Sequence, residues 1–316
     1  MRQLSDEELA NIAHDYYLSK LNIAEIGKKF GLSRYLIDKA LELAEDKGIV
    51  KINIYQSVKQ NAQLERDFKR LFNLKNVFIL ENQDTKNQDN EEIVSFAAKQ
   101  LQSYANSAHT IALTWGTLVQ DIINNFDQED RTDLTFVQPL GQVIRSDKNK
   151  YPLVQGAADK FNANCLTLPA PLYAANPALV QALHEEPFYQ NLQNYYKKID
   201  LIFTNVGTSQ SLESDQFFMK YYNEEVFAGI DRSKIAGIIF GRPFDINGNF
   251  FAQIDEHICG ISLNDLMKIP KRFLVVKNRF KEDALLGALR SGLITHLVTN
   301  SGIAERVLQK NETENN

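Results

Sequence analysis

Cysteine is nearly absent. Cys165 and Cys259 are the only two among 316 residues, far apart and outside any metal-ligand spacing. A disulfide framework is excluded, and two free thiols in a reducing compartment are expected. No apolar run approaches the ~18 residues that span a bilayer. The opening stretch MRQLSDEELANIAHDYY is acidic and helix-like, unlike a signal peptide, so the expected location is cytoplasmic, with no membrane partner. An excess of positive charge is missing too: the net charge is −5, which gives no whole-chain signature for nucleic acid. Catalytic signatures are equally scarce. There is no P-loop, no G-x-G-x-x-G and no G-x-S-x-G elbow. The histidines, His14, His109, His184, His257 and His296, are scattered without a His-x-x-x-His pair. No metal, no cofactor and no catalytic residue is expected, and the chain does not read as an enzyme.

The composition, 44% hydrophobic and 24% charged, is that of a globular chain long enough for a small module and a larger body. Asn22–Asp46 supplies the module. Ser5 and Glu8 frame a capping box, and Leu9, Ile12, Ala13 and Tyr16 recur at helical spacing. Asn22 caps a second helix with Ile23, Ile26 and Phe30 inward; Gly31 ends it, and Ser33 opens a third with Leu36, Ile37, Ala40, Leu41 and Ala44 inward. This is helix-turn-helix spacing, whose second helix enters the DNA major groove. Ile49–Ile54 alternates like a strand, which makes a winged variant the expectation. The first 54 residues carry eight Lys/Arg against nine Asp/Glu, so the DNA reading rests on placement. Lys28, Lys29, Arg34 and Lys39 fall on the two helices that would meet DNA, with Ser33 and Tyr35 beside them. Asp38 either repels phosphate or accepts from a cytosine amino group. A helical bundle for protein contacts has the same spacing and stands as the alternative.

Residues 55–74 read as a linker helix whose stripe Leu64, Phe68, Leu71 and Phe72 must pack on the body or on another copy. Residues 75–310 alternate short apolar runs with helical segments, which argues an α/β domain with a mainly parallel sheet. Strands are expected at Val77–Leu80, Thr110–Leu113, Leu134–Val137, Leu201–Asn205, Ile235–Phe240, Phe273–Val276 and His296–Thr299. Helices are expected around Glu91–Ala105, from Leu118 and around Gln155–Phe161. Gln83–Asn90 reads as a loop, Asp245–Gly248 as a turn, and 311–316 as a disordered tail. Ligands of such sheets bind beyond the strands' carboxyl ends. Those exits are Thr114-Trp115-Gly116-Thr117, Gln138-Pro139-Leu140-Gly141, Asn205-Val206-Gly207-Thr208 and Gly241-Arg242-Pro243-Phe244-Asp245. The first runs into a helix N-terminus, suited to an anion, and Arg242 adds a cation in fork geometry. Turn-shaping glycines, helix-capping threonines and a turn-capping Asp245 would produce the same residues.

Several of these stretches, in order, resemble the SorC family of sugar-binding bacterial transcriptional regulators, in particular its deoxyribonucleoside-regulator branch. They are Gly31-Leu32-Ser33-Arg34, Leu43–Val50, Thr114–Thr117, Leu168-Pro169-Ala170-Pro171-Leu172, Val206-Gly207-Thr208, Gly241–Gly248 and Gly260–Leu266. The resemblance covers essentially the whole chain. It implies an N-terminal helix-turn-helix DNA-binding domain (1–54) and a C-terminal α/β effector domain (75–310) related to sugar-phosphate isomerases. It also implies a phosphorylated-sugar effector, a double-stranded DNA operator, and a homodimer or homotetramer. Mapped onto this chain, the effector residues are Thr114, Trp115, Gly116, Thr117, Gln138, Asn205, Gly207, Thr208, Arg242, Asp245 and Lys281; the DNA residues are Lys28, Lys29, Ser33, Arg34, Tyr35 and Lys39.

Two departures stand out. The family's Gly-Gly before the last effector-domain helix reads Lys277-Asn278-Arg279-Phe280-Lys281 here. Leu140 supplies neither an amine for a sugar carbonyl nor a cation for a second phosphate, which argues against a Schiff-base or bisphosphate effector. The competing function is a sugar-phosphate isomerase or deaminase with a helical appendage, but the pocket loops offer no convincing pair of general base and proton shuttle.

Overall fold

The computed structural model describes residues 4–50, 58–143, 153–214 and 216–315. The chain divides into two compact units, Met1–Ser57 and Val58–Asn316.

In the first unit, α1 (Asp6–Tyr17), α2 (Ile23–Phe30) and α3 (Arg34–Asp46) enclose a core of Leu9, Ile12, Ile26, Ile37, Leu41 and Ala44. Both expected N-caps close as capping boxes, Ser5 with Glu8 and Asn22 with Glu25, so two backbone N–H groups at each helix start are satisfied locally. Gly31 ends α2 at φ +66, and the Ser33 hydroxyl accepts from Leu36 N to open α3. Ile49 and Val50 are irregular and half-buried against this core. The rest of the expected wing, 51–54, lies outside the described residues.

The second unit opens with α4 (Ala62–Phe72), β1 (Asn76–Leu80), α5 (Lys86–Ala105), β2 (Thr110–Leu113), α6 (Thr117–Asn124), β3 (Thr135–Val137), α7 (Leu153–Phe161) and β4 (Asn164–Leu166). Next come α8 (Pro177–Glu185), α9 (Pro187–Tyr196), β5 (Leu201–Thr204) and three short helices, α10 (Ser209–Glu213), α11 (Gln216–Tyr221) and α12 (Asn223–Val226). It closes with β6 (Gly237–Ile239), β7 (Arg242–Phe244), α13 (Leu263–Lys268), β8 (Lys271–Val275), α14 (Glu282–Arg290), β9 (His296–Asn300) and α15 (Ser301–Asn315).

Seven strands form one parallel sheet in the order β1-β9-β8-β5-β2-β3-β4. Alternation along each strand sends side chains to two cores. Ala112, Ile202, Leu274 and Leu297 enter one; Ile111, Phe203, Phe273 and Val298 enter the other. Burial on both faces is why these strands read as continuous apolar runs. The chain leaves β2 toward β3 and leaves β5 toward β8, so the strand order reverses between β2 and β5. That switch point is where open α/β sheets form their crevice.

Four expectations need correction or sharpening, and two strands have no counterpart among them. Ile235–Phe240 does not enter the sheet; its centre is β6, paired antiparallel with β7. The edge strand β4 and the strand β7, each three residues long, carry too little pattern to be read from sequence. The Gln83–Asn90 loop is shorter than expected, because Thr85 caps α5 and Asp89 turns inward to accept from Gln83 N at 2.6 Å. Residues 311–315, read as a disordered tail, continue α15, where Arg290 Nη2 donates to Asn311 Oδ1 at 2.9 Å. Finally, the apolar stripe of α4 packs on the body in part: Phe68 and Phe72 are buried in the core that holds Val77 and Ile79, with Leu64 against it, while Leu71 stays exposed.

Candidate functional site

At the switch point the exits of β2 and β5 face each other. Thr114 Oγ1 and Thr204 Oγ1 lie 3.1 Å apart, both buried. Gly116 then takes φ +129 and ψ 158 as the N-cap of α6, a region open in practice to glycine alone. A Cβ there would stand 2.5 Å from Asn205 Nδ2. The glycine also leaves α6 without a side-chain cap, so among the described residues no capping side chain answers its first N–H groups. On the β5 side, Gly207 and Ile238 exchange backbone hydrogen bonds at 2.8 and 2.9 Å, which docks the β6–β7 hairpin against the sheet.

These exits open into a cavity of about 320 Å³, within the usual size of small-molecule sites. Thr114, Trp115, Gly116, Thr117, Asn205, Gly207 and Lys281 line it. Lys281 is its one lining cation among the described residues, and no carboxylate lines it there. The Lys281 ammonium donates to Val206 O at 2.6 Å; burial, with nearby Lys277 adding to it, pulls its pKa below the ordinary value. Lys277 itself pairs with Asp121 of α6 at 2.9 Å.

The other nominated residues stand outside the lining. Arg242 is buried beneath it, its Nε on Asp255 Oδ1 at 2.6 Å and its Nη1 and Nη2 on the carbonyls of Phe240 and Ile261 at 3.0 Å each. Gln138 ties the β3 exit to the β4 exit: its amide donates to Leu140 O at 2.7 Å and accepts from Leu168 N at 3.3 Å. Asp245 caps its own turn by accepting from the amides of Asn247 and Asn249, each at 2.9 Å. Thr208 offers its carbonyl to Ser211. Leu140 is buried.

Sequence reasoning missed the far wall. Leu172, Tyr173, Phe218, Tyr222, Ile238 and Phe240 line the cavity. They come from the loop after β4, from α11 and the N-cap of α12, and from the hairpin. Only the Pro171-Leu172 stretch carried a signal, through its place in the resemblance.

In the first unit, Arg34 and Tyr35 stand exposed on the first turn of α3, Tyr35 at 62%. Lys29 pairs with Asp15 at 2.7 Å, and Lys39 pairs with Glu42. Lys28 and Arg34 are exposed and, among the described residues, have no carboxylate partner. Ser33 serves as the cap of α3. Among the described residues, no cluster of three or more His, Cys, Asp or Glu could hold a metal, and no helix is long and apolar enough to cross a membrane.

Residues 56–309 match the family model described as "Putative sugar-binding domain". The chain is 22% identical to the sorbitol operon regulator of Klebsiella pneumoniae, over 95% of this chain and 97% of that one. It is also 22% identical to the deoxyribonucleoside regulator of Bacillus subtilis, over 93% and 94%. The crystal structure of the full-length Klebsiella regulator superposes with a TM-score of 0.69 at 23% identity, covering 96% of this chain and all 100% of that one; that likeness is one of fold.

Proposed function

Because the chain belongs to the SorC family of sugar-binding transcriptional regulators, we propose that a phosphorylated sugar in the β2–β5 cavity controls operator binding by α3. Residues 1–54 act as the DNA-binding domain and 75–310 as the effector domain, with α4 as their connector. The observation that carries the effector reading is the conjunction at Gly116. A helix start without a side-chain cap opens into the same cavity as the half-buried Lys281, and no carboxylate is among the described lining residues. A dianionic phosphate answers both, accepting from the α6 N–H groups and neutralising the ammonium. Thr114, Thr117 and Asn205 then surround the sugar end.

On the DNA side, Lys28 and Arg34 are the cations left open for phosphate, and Tyr35 is exposed toward the groove. Two heads presented by a homodimer or homotetramer offset the weak charge of one head on a palindromic operator. Effector binding shifts the population of DNA-competent states by its differential affinity for them.

The test is a thermal-shift screen of sugars against their phosphates, followed by operator binding with and without the hit. A phosphate ester should raise the melting temperature in a concentration-dependent way where its parent sugar does not. It should also change operator affinity. Affinity for DNA should fall steeply with salt, and Arg34→Ala should weaken it. Salt-independent binding, or a parent sugar that binds as well as its phosphate, would defeat the assignment.

A further inference from the structure

The polar side chains that line the cavity fall into two sets. One set is engaged within the protein: Thr204 donates to Asn205 O at 3.0 Å, Ser211 to Thr208 O and Tyr173 to Gly241 O, each at 2.5 Å. The other set is free. Among the described lining residues, Trp115, Thr117, Gln142, Asn205 and Tyr222 carry side-chain polar atoms with no hydrogen bond inside the protein. Trp115 and Thr117 flank Gly116, and Asn205 Nδ2 lies 2.5 Å from where a Cβ of that glycine would be, so these three surround the start of α6. Gln142 and Tyr222 arrive from elsewhere, the loop after β3 and the N-cap of α12.

Tyr222 is the informative member. Three buried tyrosines of this unit give their hydroxyls to backbone carbonyls: Tyr173 to Gly241, Tyr189 to Gly260 at 2.8 Å and Tyr196 to Gln138 at 3.0 Å. Burial of a hydroxyl demands such a partner. Tyr222 is half-buried, and its ring is held as well as theirs. It stacks on Phe218 with centroids 6.2 Å apart and 9° between the planes. Phe218 packs in turn on Tyr173 at 5.4 Å and edge-on to Phe227 at 5.5 Å. The backbone N–H of Tyr222 also donates to Phe218 O at 2.9 Å. A held ring with a free hydroxyl is a preorganised hydrogen-bonding group in the cavity wall.

Gln142 has the same character. Its N–H donates to Ala170 O at 2.8 Å and its carbonyl accepts from Leu172 N at 2.7 Å, which fixes the backbone and leaves the side-chain amide free. A phenol and a carboxamide each offer both a donor and an acceptor. Sugar hydroxyls need that pairing, and a phosphate, which chiefly accepts, does not.

We infer that Tyr222 is the specificity residue of the site, its hydroxyl reading a hydroxyl of the bound sugar, with the Gln142 amide as a second reader. This rests on the phosphate reading of the Gly116 end, where the α6 N–H groups and Lys281 take the anion and leave these two side chains to the sugar. The test titrates the full chain and its Tyr222→Phe variant with inorganic phosphate, ribose 5-phosphate, glucose 6-phosphate, sorbitol 6-phosphate and the three parent sugars. At least one sugar phosphate should bind more tightly than inorganic phosphate. Tyr222→Phe should weaken that sugar phosphate by about fivefold, the scale of one neutral hydrogen bond, and leave inorganic phosphate unchanged. The melting temperature of the unliganded protein should stay the same, because the ring stack is kept. Gln142→Leu should lower the same ratio of sugar-phosphate to phosphate affinity. Sugar phosphates that bind no better than inorganic phosphate overturn the inference, as does a ratio that Tyr222→Phe leaves intact. A parent sugar that binds as tightly as its phosphate and is weakened by Tyr222→Phe removes the phosphate reading and leaves Tyr222 in place. If that sugar is not weakened, or if none of the compounds binds, both are overturned.

Discussion

Replacing Gly116 by alanine separates backbone strain from side-chain crowding at the mouth of the cavity. At φ +129 and ψ 158 the backbone lies where a residue with a Cβ costs on the order of 1–3 kcal/mol. The new methyl would also stand 2.5 Å from Asn205 Nδ2. That neighbour is the end of a flexible side chain, so the clash is relieved when the amide swings away, and the stability loss is set mainly by the backbone. The binding loss is set by the amide that moved and by the altered start of α6. Gly292→Ala is the internal control: at φ +68 nothing lies within 4 Å of its Cβ, so only the left-handed penalty of about 1–2 kcal/mol applies. Urea denaturation should show Gly116→Ala with the larger drop in midpoint at unchanged slope. Affinity for a phosphate ester should fall at least tenfold in Gly116→Ala and stay unchanged in Gly292→Ala. Equal stability losses would refute the strain argument, and an intact phosphate-ester affinity would refute the placement of the anion.

Phe68→Ala should destabilise the second unit by about 3–5 kcal/mol, since the ring is fully buried and lies edge-on to Phe72 at 5.3 Å; a loss below about 1 kcal/mol in the same denaturation would mean that α4 is not anchored by its stripe. Burial, reinforced by the cations of Lys271, Lys75 and Arg272, pushes the His296 imidazole from 6.5 down to about 4. The unfolded chain therefore takes up a proton that the folded protein refuses, so this contribution is whole above pH 6.5 and is lost as pH falls toward 4. His296→Phe should flatten the stability profile in that window, and an unchanged acid slope would show that other groups set it.

The parts of the fold legible in the sequence are those where one physical cause dominates. The cap Ser33 and the left-handed Gly31 fix the ends of α2 and α3, and their chemistry is local. Strands β1, β2, β5, β8 and β9 are largely buried on both faces, so each leaves an apolar run that survives without knowledge of its neighbours. The wall of the cavity has no such signature. Phe218 sits on a helix of six residues and Tyr222 at the N-cap of one of four, too short for periodicity, and they reach the cavity together with the hairpin and the loop after β4.

Strand exits are a sound guide to position and a poor guide to direction. Thr114, Asn205 and Arg242 all stand at such exits, yet only the first two line the cavity. The difference lies in the residues just beyond each exit. Thr114 and Asn205 lead into glycines, Gly116 and Gly207, that let opposing backbone and side chains approach. Arg242 instead opens β7, and ladder pairing with Ile239 commits its backbone. Its guanidinium is drawn under the floor by Asp255 and two carbonyls that would otherwise be unsatisfied. Each of its three nitrogens is tied to a protein acceptor, and the group lies outside the cavity lining. Its link to the cavity runs through the carbonyl of Phe240, which makes Arg242 the residue that holds the β6–β7 turn.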